Sequence, residues 1–532
     1  MTLVLFKTIL FFFIALLYFY SVSGFGKLIY GNYSKKINYN FFELFIFGLI
    51  FQIILGFLIH LFFGTSEYLN TFILLLGLIL YFFYKKELNN ISFKYISGFF
   101  LVIFSVLLIS KTHADFVYYH HWAVHEIFYN KIRIGTYLLN QNYFYSSSIA
   151  YSQSLIVIPY LNFKLIHFPI FFIYFSVLGY FMFLSLKKIN NSERYFSLMI
   201  VMILLIKFNR LTEFGYDYIS QFLLLIVFHK IFFYKKNEIE LKKAIIFFML
   251  CILIKPNSLL FFPIILYLFY ANRVKFLFSL INFRNFLFYT MIFVLLSTSF
   301  LRSGCIFYPV NATCFSKEKV FWAEKENVKE FSEHVSLWAK AYNVHIKKGT
   351  KYKKIIDRAE YKKSLNWFKY WVEHHFFYKI FEFLLIIISI MIIIHIYLTR
   401  EKPFLKQITT EYNILFYLTC GSVIFWLLTI PQFRFGFSII IIFVYLLLNY
   451  FLKLEIFLDK KKFLKLILLS LLILNLKNIV RIQDRFERED YWKFTNFPYY
   501  NAQEIRKIKD RKTLNIEKEN FFYIKIFKPG PT

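Results

Sequence analysis

Apolar residues run through this chain in long blocks, separated by short clusters rich in Lys, Arg and Asn. A helix rises about 1.5 Å per residue, so crossing a hydrocarbon core of about 30 Å takes roughly 20 apolar residues. Blocks approaching that length lie at 3–23, 41–63, 69–84, 96–110, 165–186, 196–209, 218–234, 244–255, 257–271, 286–300, 378–397, 410–429, 435–452 and 463–476. They predict an all-α polytopic membrane protein with about fourteen transmembrane helices. The two blocks flanking Pro256 are short, and a broken helix in a bundle marks a cavity rather than a lipid-facing wall. No small-residue cleavage site follows a short apolar core in the first 23 residues, which predicts a retained first helix.

Composition agrees with the blocks. Of 532 residues, 59% are hydrophobic and 18% charged, below the roughly 25% charged of a soluble chain. Phe (75) and Tyr (41) are spread throughout, so a single Phe carries no functional weight. The net charge of +32 is distributed as topogenic clusters between blocks, without the basic stripe of a nucleic-acid binder; no nucleic-acid partner is expected. The positive-inside rule makes cytoplasmic the loops carrying Lys27, Lys35 and Lys36; Lys85 and Lys86; Lys187, Lys188 and Arg194; Lys235, Lys236, Lys242 and Lys243; Arg273, Lys275 and Arg284; Arg400 and Lys402; and Lys460 to Lys462. That alternation requires the apolar stretch 149–161, which ends near Pro159, to be re-entrant or interfacial. Both termini then lie outside.

The outer face receives loop 111–148, Glu213 and Asp217, the Lys255–Pro256–Asn257 turn, the long loop 301–377, the Pro431–Arg434 turn and the tail 477–532. The chain therefore divides into a transmembrane bundle (1–300), an external insert (301–377), further transmembrane helices (378–476) and an external tail (477–532). Polar segments gathered on one face suit an enzyme. A channel would repeat a pore-lining motif, and a secondary transporter would carry midplane charges and internal repeats.

Within loop 111–148, helical spacing places Asp115, Tyr118, Tyr119, Trp122 and Glu126 on one face. A carboxylate beside aromatic rings at a membrane surface can take a proton from a hydroxyl or bind a divalent cation, and the rings can stack on a sugar. The same pattern also describes an amphipathic interfacial helix with an aromatic belt. His121 and His125 have the four-residue spacing of a zinc pair, but no HExxH pattern accompanies them and no residue is assigned as a metal ligand. Asp217 opens a span, as either a dipole-stabilised cap or a functional acid. Lys255 and Arg434 can hold a phosphate, one as a point charge and the other as a fork, or can snorkel as ordinary end-of-helix cations. An oxidising outer compartment favours a disulfide between Cys305 and Cys314, closing an external loop, over two unrelated thiols. No Gly-rich phosphate loop or nucleophile elbow is present, which argues against ATP-driven chemistry.

The order Asp115, Tyr119-His120, Asp217, Lys255, RSGCIFYPVNATCF at 302–315 and PQFRFG at 431–436 resembles the polytopic proteins of bacterial surface-polysaccharide loci, which are similar to the GT-C superfamily of membrane glycosyltransferases. The resemblance covers roughly 95–440. It implies a GT-C-like fold in the bacterial inner membrane, a polyprenyl-phosphate-linked sugar donor, and a glycan or lipid-linked acceptor met on the periplasmic side. Asp115 would occupy the position of the catalytic or metal-binding acid in the first large external loop, with Asp217 as a second acid. Tyr119, His120 and Trp122 would shape the sugar site, while Lys255 and Arg434 would stabilise the leaving phosphate. More spans precede the loop than in many GT-C enzymes, and no Asp-x-Asp pair is present, so a divalent cation is a candidate cofactor without an assigned site. An O-antigen polymerase or ligase type of protein and a lipid-linked oligosaccharide flippase are the alternatives.

Overall fold

The computed structural model describes residues 2–30, 40–83, 93–109, 119–139, 147–187, 190–208, 216–234, 237–268, 286–342, 357–398, 410–452, 460–487, 516–521 and 524–529. These residues are almost entirely helical. The exception is a two-stranded antiparallel ribbon, Ile516–Phe521 with Ile524–Pro529, in register Ile516 to Pro529. Among the described residues, nine helices are long and apolar enough to cross a membrane, compatible with a multi-pass membrane protein. Five other blocks of the sequence are also helices but are shorter: Glu67–Phe83, Phe93–Leu108, Asn191–Lys207, Glu238–Ile254 and Pro256–Leu268. Of the fourteen predicted blocks, nine are therefore helices of membrane-crossing length and five are shorter helices.

In chain order, α1 is Thr2–Tyr30, α2 Phe41–Phe62, α3 Glu67–Phe83, α4 Phe93–Leu108, α5 His121–Tyr129 and α6 Ile149–Ser154. Then follow α7 Phe168–Leu186, α8 Asn191–Lys207, α9 Tyr216–Phe233, α10 Glu238–Ile254 and α11 Phe286–Ser303. The chain ends with α12 Lys325–Ala339, α13 Asn366–Leu398, α14 Thr410–Thr429, α15 Phe433–Leu452 and α16 Lys460–Glu487.

Helices α7 and α9 form the centre and are buried on nearly every side, as helices apolar all round must be. By contrast, α14 buries only Leu415, Thr419, Ser422 and Trp426, and its other faces expose side chains such as Ile424 and Leu428. Apolar exposure along a whole helix fits a lipid-facing position. Small residues let α1 and α2 touch: a Cβ on Gly26 would lie 1.8 Å from the Leu44 carbonyl oxygen, and one on Gly48 equally close to that of Val22.

The 149–161 stretch contains no helix of membrane-crossing length. Its helix α6 has six residues, all buried, and non-helical backbone at membrane depth is tolerated only where protein satisfies it. Asn70 of α3 donates to the carbonyls of Ser154 (2.8 Å) and Val157 (2.9 Å), and Gln153 Nε2 donates to that of Ile166 (2.7 Å). Two boundaries also move. Residue 377 falls inside the continuous helix α13, and α16 runs to Glu487, eleven residues into the stretch assigned to the tail.

Candidate functional site

Three elements converge on Asp217. It lies in the first turn of α9, where the helix dipole favours an anion. Lys255 is the C-cap of α10. Pro256 cannot continue the helix and pushes the preceding residue to extended geometry, here φ −153° and ψ 115°, so the chain turns at Lys255. Its Nζ lies 2.9 Å from Asp217 Oδ1, with both residues buried. Arg434 lies in the first turn of α15, where the dipole disfavours a cation, and its Nε is 3.2 Å from Asp217 Oδ2. One turn further in, Gln221 Oε1 accepts from Ser438 N (3.2 Å) and Oγ (2.7 Å), which sets α9 and α15 in register for that pair. The Arg434 guanidinium also lies over the Trp338 ring at 5.0 Å.

The insert 301–377 closes over this end of the bundle. Trp371 Nε1 donates to the Pro431 carbonyl (2.6 Å), Trp426 Nε1 to that of Gln432 (2.9 Å), and Gln432 Nε2 to that of Ala339 (3.2 Å). Gly436 completes the turn, since a Cβ there would lie 2.6 Å from the Trp426 ring. The PQFRFG segment is therefore a docking turn that presents Arg434.

Cys305 and Cys314 are disulfide-bonded, with Cα atoms 3.8 Å apart. Their loop folds back on α11: Ser299 Oγ donates to the Cys305 carbonyl (2.8 Å) and accepts from Tyr308 N (3.0 Å). Beneath it lies a cavity of about 50 Å³, whose polar lining includes Ser148, Lys255, Thr298, Ser299, Arg302 and Tyr308. Leu253, Ile254 and Leu295 supply apolar wall. Arg302 is buried, and its Nη2 lies 3.4 Å from Tyr151 Oη. The Thr298 hydroxyl has no hydrogen-bond partner among the described residues. Two buried cations beside a spare hydroxyl in an apolar pocket suit an anion attached to an apolar body. Sequence reasoning did not single out Arg302; its signal was a cation in the last turn of a span, directly before the cysteine loop.

The residues predicted from the sequence separate into groups. Asp217, Lys255 and Arg434 come together, but Arg434 does not line the cavity, where Arg302 stands with Lys255. Asp115, Tyr118 and Glu213 lie outside the described residues. Tyr119 and His120 form a π turn leading into α5, and their rings are 4.1 Å apart. His120 meets Tyr216 edge-on at 4.2 Å and lies within electrostatic reach of Asp217, so the first loop does approach the cluster. Trp122 packs on the hydrophobic core, and Glu126 is buried in a bidentate pair with Arg133. His121 and His125 both pack on the Phe163 ring. Burial, with the neighbouring His125 second, pushes His121 down to about 3, so it is neutral at ordinary pH. Among the described residues, no group of three His, Cys, Asp or Glu could hold a metal ion.

A family described as a domain of unknown function, DUF8201, matches residues 8–441. The chain belongs to that DUF8201 family. The match contains Asp217, Lys255, the disulfide loop and Arg434, and ends within α15. No curated protein and no solved structure matches the chain.

Proposed function

We propose that this protein is a GT-C-like membrane glycosyltransferase. It transfers a sugar from a polyprenyl-phosphate-linked donor to a glycan or lipid-linked acceptor at the periplasmic face of a bacterial inner membrane. The observation that supports this reading is the cavity shared by Lys255 and Arg302, roofed by the disulfide loop and walled by apolar side chains. In this reading the two cations receive the donor phosphate and stabilise the charge it gains as it leaves. The anomeric carbon–oxygen bond to phosphate breaks with its electron pair staying on phosphate. The acceptor oxygen bonds to the anomeric carbon, and its proton passes to Asp115. Both oxygens of Asp217 are engaged by cations, so Asp217 is a positioning residue that holds Lys255 and Arg434. In this reading Tyr119 and His120 shape the sugar site, and Trp122, packed on the hydrophobic core, supports them from behind.

Buried ion pairs at the far end of α9 and α10 give the flippase alternative some support. Those charges balance each other within one layer, whereas a transport path needs sites along its length, so enzyme chemistry is the better reading. The test is lipid-linked oligosaccharide and glycan analysis in a deletion strain complemented with variants. Deletion, Asp115→Asn, and Lys255→Met with Arg302→Met should each accumulate sugar-charged donor lipid and truncate the glycan. General-base loss alone removes about 10²–10⁴ of rate. An unchanged donor pool and glycan profile in the deletion strain would refute transfer.

A further inference from the structure

Helices α9 and α10 form an antiparallel hairpin, with Phe233 and Glu238 at one end and Asp217 and Lys255 at the other. Near the first end sits a second, larger set of buried charges that the proposed chemistry does not use. Lys230 of α9 pairs with both Glu43 of α2 and Glu240 of α10. Lys243 of α10 pairs with the same two acids, at 3.1 Å and 2.7 Å, and donates to Tyr30 Oη of α1 at 2.6 Å. The side chains of Lys230, Lys243 and Glu43 are each no more than 3% exposed. Two lysines and two glutamates neutralise one another across three helices, with the Tyr30 phenol as a fourth contact.

Along α9, thirteen residues separate Asp217 from Lys230, a rise of about 20 Å. The two clusters therefore sit at opposite ends of one rigid hairpin. Hydrogen bonds hold α9 elsewhere: Gln221 with Ser438 against α15, Tyr216 with Gln153 at 2.6 Å against α6, and His229 with Glu193 at 3.1 Å against α8. The buried charges add to this resistance against sliding, because a shift of even one residue, about 1.5 Å, draws each ammonium away from its carboxylates in a medium that solvates neither. The α1–α2 pair in turn carries α6, whose Ser152 Oγ donates to Gln52 Oε1 at 2.7 Å. Just before α6, Ser148 lines the cavity, and its N–H donates to the Leu253 carbonyl of α10 at 3.1 Å.

We infer that the Glu43–Lys230–Glu240–Lys243 cluster is an axial clamp. Through Glu43 it fixes the hairpin against α1–α2, which holds Lys255 at the cavity wall formed by Ser148, and through Glu240 it fixes α9 against α10, which holds Lys255 against Asp217. These four are positioning residues acting from the opposite end of the bundle. The inference rests on the site but not on glycosyl transfer, and its test reads Lys255 itself rather than activity.

The test is acylation of Lys255 by a membrane-impermeant amine reagent, on the full-length protein in vesicles well below melting, quantified by peptide mass spectrometry. Lys255 is buried and paired in the native protein and should label slowly. Glu240→Gln removes one carboxylate from both lysines, loosens the hairpin, and should raise Lys255 labelling by about tenfold, because labelling tracks the opened population. The control is Asn475→Ala, which cuts a 2.7 Å bond between α4 and α16 and so destabilises the bundle without touching the hairpin. It should leave Lys255 labelling unchanged at an equal distance below its own melting point. Should Glu240→Gln fail to fold, Tyr30→Phe keeps all four charges, removes only the phenol contact, and should raise labelling by a smaller factor. Labelling in the folded clamp variant no faster than in Asn475→Ala overturns the inference. A melting shift alone would show a structural role and likewise overturn it. Raised labelling together with unchanged glycans in the deletion strain would refute the transferase reading and leave the clamp standing.

Discussion

Replacing Asp217 with Asn keeps the size of the side chain and one acceptor oxygen but removes the charge that two cations share. Removing one partner of a buried ion pair costs about 3–5 kcal/mol, because the remaining charge is left uncompensated. Lys255 is 10% exposed and bears that cost nearly in full, whereas Arg434 is 31% exposed, retains water, and stays over the Trp338 ring. The lower end is therefore expected, about 3 kcal/mol. The assay is a double-mutant cycle of Asp217→Asn and Lys255→Met, followed by denaturant unfolding in mixed micelles. Once Lys255 is gone, the Asp217→Asn change strands one fewer cation, so the double variant should be more stable than the sum of the single losses by about 2 kcal/mol. The surface pair Lys362–Glu333, at 2.7 Å but 40% and 51% exposed, is the comparison and should show coupling of about 0–1 kcal/mol. Single losses that add to within about 0.5 kcal/mol would show that the two side chains do not interact, and the reconstruction of the site would fail.

Cys305→Ser with Cys314→Ser should lower stability by about 2–3 kcal/mol on loop-entropy grounds, and thiol counting without reductant should find two free thiols, Cys251 and Cys420. His121 is held neutral by burial, with its folded value lowered to about 3. Its contribution is complete above the unfolded value of about 6.5 and is lost as pH falls from there towards 3. His121→Leu should therefore flatten the acid side of a melting-temperature profile over that window, and an unchanged slope would count against it. Single cysteines at Ser316 and Lys461 should label from opposite sides of the membrane, Ser316 from outside. Labelling of position 461 alone from outside would invert the topology.

Several features of the site were legible in local sequence. The break at Lys255 follows from Pro256, whose missing N–H and steric demand on the preceding residue act within one turn. The dipole-favoured position of Asp217 and the cysteine loop are likewise properties of a few consecutive residues. Arg302 was overlooked because a cation in the last turn of a span has an ordinary explanation in snorkelling; only the fold turns it inward beside Lys255. Lys243 was read as a topogenic charge for the same reason, although its side chain is 3% exposed and held by two acids.

By itself the sequence determined that this chain is helical, rich in membrane-length apolar blocks and interrupted at Pro256, because hydropathy, helix length and proline sterics are set by neighbours along the chain. It did not determine which charges meet. Asp217 and Arg434 are 217 residues apart, and Glu43 and Lys230 are 187 apart. A helix such as Phe168–Leu186, apolar on every face, has no stripe to announce which neighbour it packs against. Partner choice among such helices rests on close-packed small residues and on the cost of leaving a buried charge alone. Both are properties of three-dimensional contact, and only the tertiary structure decides them.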